Sequence, residues 1–196
     1  MGLIAGIVEF VMDILETIVF MGAMFIVVYL YILQPNQVKG TSMVPTFADR
    51  DYIFTSRITY KLKEPEKGDV VVFKSPQNPD VEYIKRIIAT GGDTIEFVQC
   101  EPTDNSKCGV MVNDELLTEG YISDKTQLFA GSDLKPNEKI KIPEDHLFVM
   151  GDNRPGSLDS RVFGPIPKSS VIGVVFLRYL PAKDAGLIEN PYDQKK

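Results

Sequence analysis

The chain is nearly without histidine. Its single copy, His146, leaves no route to a multi-histidine zinc site, and any Ser-His-Asp arrangement would have to use that one residue. His146 enters an apolar run, "PEDHLFVM", where a satisfied structural role suits it better than catalysis. Only two cysteines occur, Cys100 and Cys108, flanking a polar segment. Their spacing fits neither a CxxC redox motif nor a zinc ribbon. Two readings stand for them: a reduced pair on a loop, or a loop-closing disulfide if the domain lies outside the cytoplasm. No long basic run occurs and the net charge is −6, which argues against nucleic acid as a partner. Repeats and low-complexity tracts are also missing. At 44% hydrophobic and 24% charged residues, the chain is not disordered.

Charge is missing again from Thr17 to Val38, a run of 22 residues. Most are apolar, and a helix rising 1.5 Å per residue over that length crosses a hydrocarbon core about 30 Å thick. A cleaved signal peptide would need a basic n-region and a shorter apolar part. The expectation is a membrane anchor over 1–38, with the span at about 17–38 and the lipid bilayer as a partner. Upstream, Glu9, Asp13 and Glu16 fall at i, i+4 and i+7 and share one helical face, read as a solvated stripe. No Lys or Arg precedes Lys39, while Lys39, Arg50 and Arg57 follow the run. Positive-inside bias alone would put the large domain in the cytoplasm, but long domains translocate largely regardless of charge. Topology is therefore open from charge.

Beyond Gly40, helical periodicity is weak. Short β-branched and aromatic runs alternate with breakers: "DYIFTSRITY", "DVVVF", "VEYIKRIIA", "DTIEFV", "VMVN", "HLFVM" and "VIGVVFLRYL", separated by "EPEKGD", "SPQNPD", "TGGD" and "GDNRPGS". The fold class read from this is mainly β: an N-terminal transmembrane helix, then an antiparallel β domain over 39–180. A more polar hairpin or subdomain is inserted at about 100–142, and 181–196 is expected to be a loose tail.

Ser42 lies in "GTSMVPTF", just after the apolar run. A serine needs a base before it attacks an amide. Lys85, in "YIKRIIA", is the second candidate base. Strand alternation sends Lys85 to one face with Tyr83 and Ile87, and Arg86 to the other with Ile84 and Ile88, so one of the two cations is expected to face the interior. A lysine base must fall from a pKa near 10.4 to about 7–8, a shift worth about 3–5 kcal/mol. Apolar desolvation supplies it, whereas arginine stays protonated. The plain alternative is a lysine that snorkels to water. In "GDNRPGSLDSR", an acid dyad of Asp152 and Asp159 competes with ion pairing to Arg86, Arg154 and Arg161, and pairing is favoured.

Four blocks, "GTSMVPTF", "KGDVVVFKSP", "YIKRIIATGGD" and "GDNRPGSLDSR", stand in this order behind an apolar anchor. Together they resemble the bacterial type I signal peptidases, membrane-bound serine endopeptidases of peptidase family S26. The resemblance covers the chain from the anchor to about Leu180. It implies a Ser-Lys dyad with Ser42 as nucleophile and Lys85 as general base, no metal and no cofactor. Ser157 matches a serine that orients the lysine. Asp159 and Arg161 match framework charges, and Asp152 and Arg86 match another ion-pairing set. The Ser42 N–H matches one oxyanion donor. The second matches Gly40, where some members carry a serine, so a backbone N–H would have to serve; one such donor is worth about 10²- to 10³-fold in rate. Thr90 stands where proline is usual before "GD", which affects a turn. Val38, Met43, Phe47, Tyr83 and Ile84 match positions lining pockets for small residues at −3 and −1 of an extended peptide, though the same residues suit a plain core. The implied partners are exported preproteins, at the cytoplasmic membrane, with the catalytic domain on its extracytoplasmic face. There a Cys100–Cys108 disulfide is expected. Two rivals differ in one feature each. Self-cleaving repressors with a related β core lack a membrane span. A membrane-tethered, non-catalytic binding domain would use Ser42 and Lys85 only structurally.

Overall fold

A computed structural model describes residues 2–31, 33–99, 108–128 and 134–193. One long helix, α1 (Gly2–Tyr31), comes first. The strands and short helices follow in the order β1 (Leu33–Gln37), β2 (Tyr52–Ser56), α2 (Thr59–Leu62), β3 (Val70–Lys74), β4 (Glu82–Thr90) and β5 (Thr94–Val98). Next are β6 (Gly109–Val112), β7 (Glu115–Leu116), β8 (Lys139–Lys141), β9 (His146–Met150), α3 (Ser160–Phe163), β10 (Ile166–Pro167), β11 (Val171–Leu180) and β12 (Gly186–Leu187).

The fold is mainly antiparallel β, as the alternating runs predict. The larger sheet has the order β1-β2-β11-β3-β4-β9-β10, with β12 added beside β11. The smaller runs β7-β6-β5-β8. β6 and β7 are joined by Asn113-Asp114, both at positive φ (53° and 67°), the backbone that a tight hairpin between twisted strands demands.

The apolar run does not extend as far as expected. Helix α1 stops at Tyr31, and Leu33–Gln37 pairs with β2 in the larger sheet, Leu33 opposite Ser56 and Gln37 opposite Tyr52. Gln34, Pro35 and Asn36 carry no charge but suit an edge strand, and proline disfavours helix in the residue before it. The helix instead reaches back to Gly2, taking Glu9, Asp13 and Glu16 into its length. Its apolar stretch, Ile4–Tyr29, has a mean hydropathy of 2.2, with none of its most apolar part buried against the protein. That is long and apolar enough to cross a bilayer.

Both faces of the central strands are covered. Val70 and Val72 pack with Val38, Met43, Phe47, Ile53 and Val175 on one side. Val71 and Phe73 pack with Ile87, Leu147, Val149 and Ile166 on the other. A third cluster, including Ile95, Phe97, Val110, Ile142 and Phe148, welds the smaller sheet to β4 and β9. The smaller sheet begins with β5 at Thr94, before the insertion boundary expected near 100. It shares its core with the larger sheet rather than standing apart.

Cys108 is buried and disulfide-bonded. The expected partner, Cys100, lies outside the described residues. The tail is not loose. β12 pairs with β11, and Asn190 donates to the Lys67 carbonyl at 2.9 Å. Its contacts lie too far apart in sequence for local patterning to reveal them.

Candidate active site

Ser42 sits in the loop that joins β1 to β2. The loop is clamped at its base by Val38 N–H to the Asp51 carbonyl and Arg50 N–H to the Val38 carbonyl, both 2.8 Å. Met43 and Phe47 anchor it in the core, each with no exposed surface. A second loop, the "GDNRPGS" turn after β9, holds it from the side. Asn153 N–H donates to the Ser42 carbonyl at 3.0 Å, and Asn153 Nδ2 to the Thr41 carbonyl at 3.1 Å. Gly151 makes that approach possible: a Cβ there would lie 2.4 Å from the Ser42 carbonyl oxygen and 2.3 Å from Ser157 Oγ.

Lys85 reaches Ser42 from β4. Its Nζ lies 2.7 Å from Ser42 Oγ and donates to the Ile84 carbonyl at 2.9 Å. The side chain is buried and its amine lies 5.5 Å from the centre of the Tyr83 ring. Desolvation lowers its pKa to about 8, against an opposing pull from the Asp159 and Asp152 carboxylates. No carboxylate touches the amine among the described residues. Snorkelling to water, the plain alternative, does not occur.

Arg86 is buried as well, contrary to the expectation that only one of the two cations would be. Alternation does send them to opposite faces, but the sheet is covered on both. Arg86 Nε and Nη2 grip Asp152 at 2.9 and 2.6 Å, and Nη1 donates to the Gly68 carbonyl at 2.8 Å. Arg161 grips Asp159 in the same two-pronged way, at 2.9 and 2.8 Å. Asp152 and Asp159 are thus ion-pair partners and not an acid dyad. Thr46 Oγ1 donates to Asp152 at 2.5 Å, tying this frame to the Ser42 loop.

Other expected residues fall as follows. Val38, Gly40, Tyr83 and Ile84 line a cleft of about 840 Å³ with Ser42 and Lys85. Met43 and Phe47 lie in the packed core and do not line it. Ser157 is buried beside Gly151, but its Oγ has no hydrogen-bond partner among the described residues, so the expected bond to the lysine is not made. The amine's contacts go to Ser42 and the Ile84 carbonyl instead. Gly40 has φ +88°, a conformation natural to glycine, and its N–H donates to Asp49 Oδ1 at 2.7 Å. That donor is therefore engaged and does not face an incoming oxyanion in this conformation. The Ser42 N–H makes no hydrogen bond among the described residues. His146 stands outside the cleft, its Nδ1 2.9 Å from the Glu144 carbonyl.

Sequence reasoning missed Thr46, Asp49, Asn153 and the pair Arg154–Glu119, where Arg154 Nη2 meets Glu119 Oε1 at 2.6 Å. Arg154 also contacts Thr126 Oγ1. Thr46 and Asn153 lie inside quoted blocks and were findable there. Glu119 and Thr126 lie in the polar insertion, and nothing in the sequence marks them as partners.

A hydroxyl against a buried amine with a lowered pKa, in an open cleft on a β scaffold, is the arrangement of a serine hydrolase. The signal peptidase family, peptidase S26, matches residues 11–180. Signal peptidase I of Aquifex aeolicus (strain VF5) is 34% identical over 199 residues, covering 78% of each chain. Signal peptidase IB of Staphylococcus aureus (strain MRSA252) is 34% identical over 93% of this chain and 98% of its own. A crystal structure of a signal peptidase I from Enterococcus faecalis V583 aligns with a TM-score of 0.44, at 29% identity, over 57% of this chain and 97% of that one. The chain belongs to the signal peptidase family, and it is an endopeptidase of the serine class.

Proposed function

We propose that this chain is a membrane-anchored signal peptidase in which Ser42 and Lys85 form the catalytic dyad. The observation that carries the reading is the 2.7 Å contact between Ser42 Oγ and a lysine amine lowered to about 8. An amine with that pKa is about one-tenth neutral at pH 7 and half neutral at pH 8, and its neutral form accepts the serine proton. Ser42 Oγ then bonds to the scissile carbonyl carbon, whose oxygen takes the negative charge beside the Ser42 N–H. The Gly40 N–H joins as a second donor once Asp49 releases it. Lys85 returns its proton to the leaving amine; a water then attacks the acyl-serine, giving a proton to Lys85 Nζ, and as the acyl–Oγ bond breaks that proton passes to Ser42 Oγ.

The cleft runs between the Pro35–Ser42 segment and the Asp80–Lys85 segment. β1 is an edge strand, so an extended peptide of an exported preprotein can add beside it. Small residues at −3 and −1 would seat against Val38, Tyr83 and Ile84. Ser157 has a buried hydroxyl without another partner among the described residues, and it would complete the lysine's hydrogen bonds after a rotamer change. We place the anchor in α1, the catalytic domain from β1 onward on the extracytoplasmic side, and Cys108 in a bond with Cys100.

The test is cleavage of a preprotein ending in Ala-x-Ala by the full chain in detergent. Ser42→Ala and Lys85→Ala should each stay folded and leave the preprotein intact. In the unsubstituted protein kcat/KM should rise with pH along a limb near pH 8. Normal cleavage by Lys85→Ala would remove it as base. Protease added outside intact cells should digest the region beyond residue 40; its protection would reverse the orientation.

A further inference from the structure

The family match ends at residue 180, yet the chain continues in order to Asp193 and returns to the catalytic frame. β12 adds beside β11, with Leu187 opposite Leu177, and Ile188 N–H donates to the Phe176 carbonyl at 2.9 Å. From there two side chains take separate routes to one guanidinium.

The first route is aromatic. Tyr192 OH lies 3.0 Å from Tyr121 OH, and the two rings meet edge to face at 6.4 Å. Tyr121 in turn covers Arg86, 4.2 Å from the guanidinium carbon to the ring centre. The second route is polar. Asn190 Nδ2 donates to the Lys67 carbonyl at 2.9 Å and to Asp69 Oδ1 at 3.1 Å, bracketing Gly68. Gly68 is shaped around this contact: at φ +96°, a Cβ there would lie 2.1 Å from Asn190 Oδ1 and 2.7 Å from a Tyr192 ring carbon. The Gly68 carbonyl then accepts from Arg86 Nη1. Arg86 grips Asp152, and Asp152 accepts from Thr46 on the Ser42 loop. Leu187, Ile188, Glu189 and Pro191 also wall a gap of about 260 Å³ whose other side is Thr46, Arg86, Tyr121 and Arg178.

We propose that residues 186–193 form a C-terminal strap that positions the catalytic site, with Tyr192 and Asn190 fixing Arg86, and through Arg86 and Asp152 the loop that carries Ser42. This rests on the Ser42–Lys85 reading. None of the strap's side chains touches the reacting atoms, so Tyr192 and Asn190 are positioning residues. Without the strap, water enters the gap, Tyr121 loses the partner that holds it over Arg86, and the Gly68 turn that accepts from Arg86 loses its Asn190 brace. Asp152 is then less neutralised. The groups facing Lys85 are Ser42, Tyr83 and the carboxylates of Asp152 and Asp159. Those around Arg86 are Asp152, Tyr121 and Tyr192, with Glu119, Arg154 and Lys67 beyond the two rings. Better hydration and a stronger Asp152 field both favour the ammonium form of Lys85, so the two effects act in the same direction.

The experiment compares the full chain with Tyr192→Ala, Tyr192→Phe, Asn190→Ala and a chain ending at Ala185, in detergent with the preprotein substrate. Tyr192→Ala should lower kcat about tenfold with KM little changed, since small misplacements of a catalytic loop cost up to about a hundredfold. Its kcat/KM limb should move to higher pH. Tyr192→Phe keeps the ring and should recover most of the loss. The chain ending at Ala185 should show the largest change; if it does not fold, the point variants decide. An unchanged kcat and pH limb in Tyr192→Ala overturns the strap. So does a loss that leaves the pH limb in place and that phenylalanine does not rescue, which is the mark of plain structural damage. Cleavage by Ser42→Ala, run in parallel, overturns the dyad itself and the strap's role with it.

Discussion

The two faces of β4 treat a buried cation in opposite ways. On one face Arg86 receives a carboxylate, a carbonyl and an aromatic ring, and nearby Arg154 and Arg161 each receive a carboxylate as well. On the other, Lys85 is buried to a similar degree but is given a hydroxyl, a carbonyl and the Tyr83 ring, with no carboxylate in contact among the described residues. A guanidinium cannot shed its proton, so burial obliges the protein to pair it. An amine can, so withholding a counter-charge converts the same burial into basicity. The difference between a framework cation and a candidate base lies in what the fold withholds.

The most severe way to break that contrast is to make the two faces alike. Lys85→Arg puts a permanent charge where a neutral base is required, and preprotein cleavage should fall by about 10²- to 10⁴-fold while the circular dichroism spectrum is unchanged. Activity near the unsubstituted level would mean that the charge state at this position does not matter.

Removing a partner on the opposite face should act on stability first. Asp152→Ala leaves Arg86 buried and unpaired, which costs about 3–5 kcal/mol in denaturant unfolding. Asp159→Ala removes the two-pronged carboxylate from buried Arg161 and should also destabilise the fold. A change under about 1 kcal/mol for either would show that the pairs are replaceable by water.

A smaller effect sharpens the comparison by its sign. The pKa of Lys85 is about 8 when folded and 10.5 as the ordinary value. Below pH 8 both states hold the proton, and the folded protein carries the whole burden of a buried ammonium. Between 8 and 10.5 the unfolded chain binds more protons, so stability from this group rises with pH, and above 10.5 the burden is gone. Lys85→Met should therefore stabilise the protein at pH 7 by up to roughly 3 kcal/mol, and the gain should vanish above about pH 10.5. A variant that is less stable at pH 7 would show that the amine is not penalised by burial.

Much of this was legible in the chain. The β-branched runs mark the strands, because a strand's fit to a pleated, half-buried surface is a local property. Ser42, Lys85 and the two aspartates lie in the short blocks that carry the family resemblance, so the meeting of Ser42 with Lys85 and the pairing of the aspartates with arginines could be expected. What escaped is long-range or two-sided. Alternation assumes one wet face, and β4 has none, which hid the burial of Arg86. Uncharged polar residues at 34–37 carried the expected span past Tyr31, where the helix ends. Glu119, Tyr121, Asn190 and Tyr192 matter only through partners tens of residues away, and no local pattern encodes them. The engagement of Gly40 by Asp49 was invisible for the same reason.

Helix α1 ends at Tyr31 and the edge strand begins at Leu33. With so little chain between them, the proposed anchor and the cleft cannot swing apart like beads on a string. Under the proposed anchoring the junction would act as a fixed-length ruler, setting the height above the lipid at which a passing polypeptide is cut. Lengthening it should move the scissile bond along the substrate rather than merely slow the reaction.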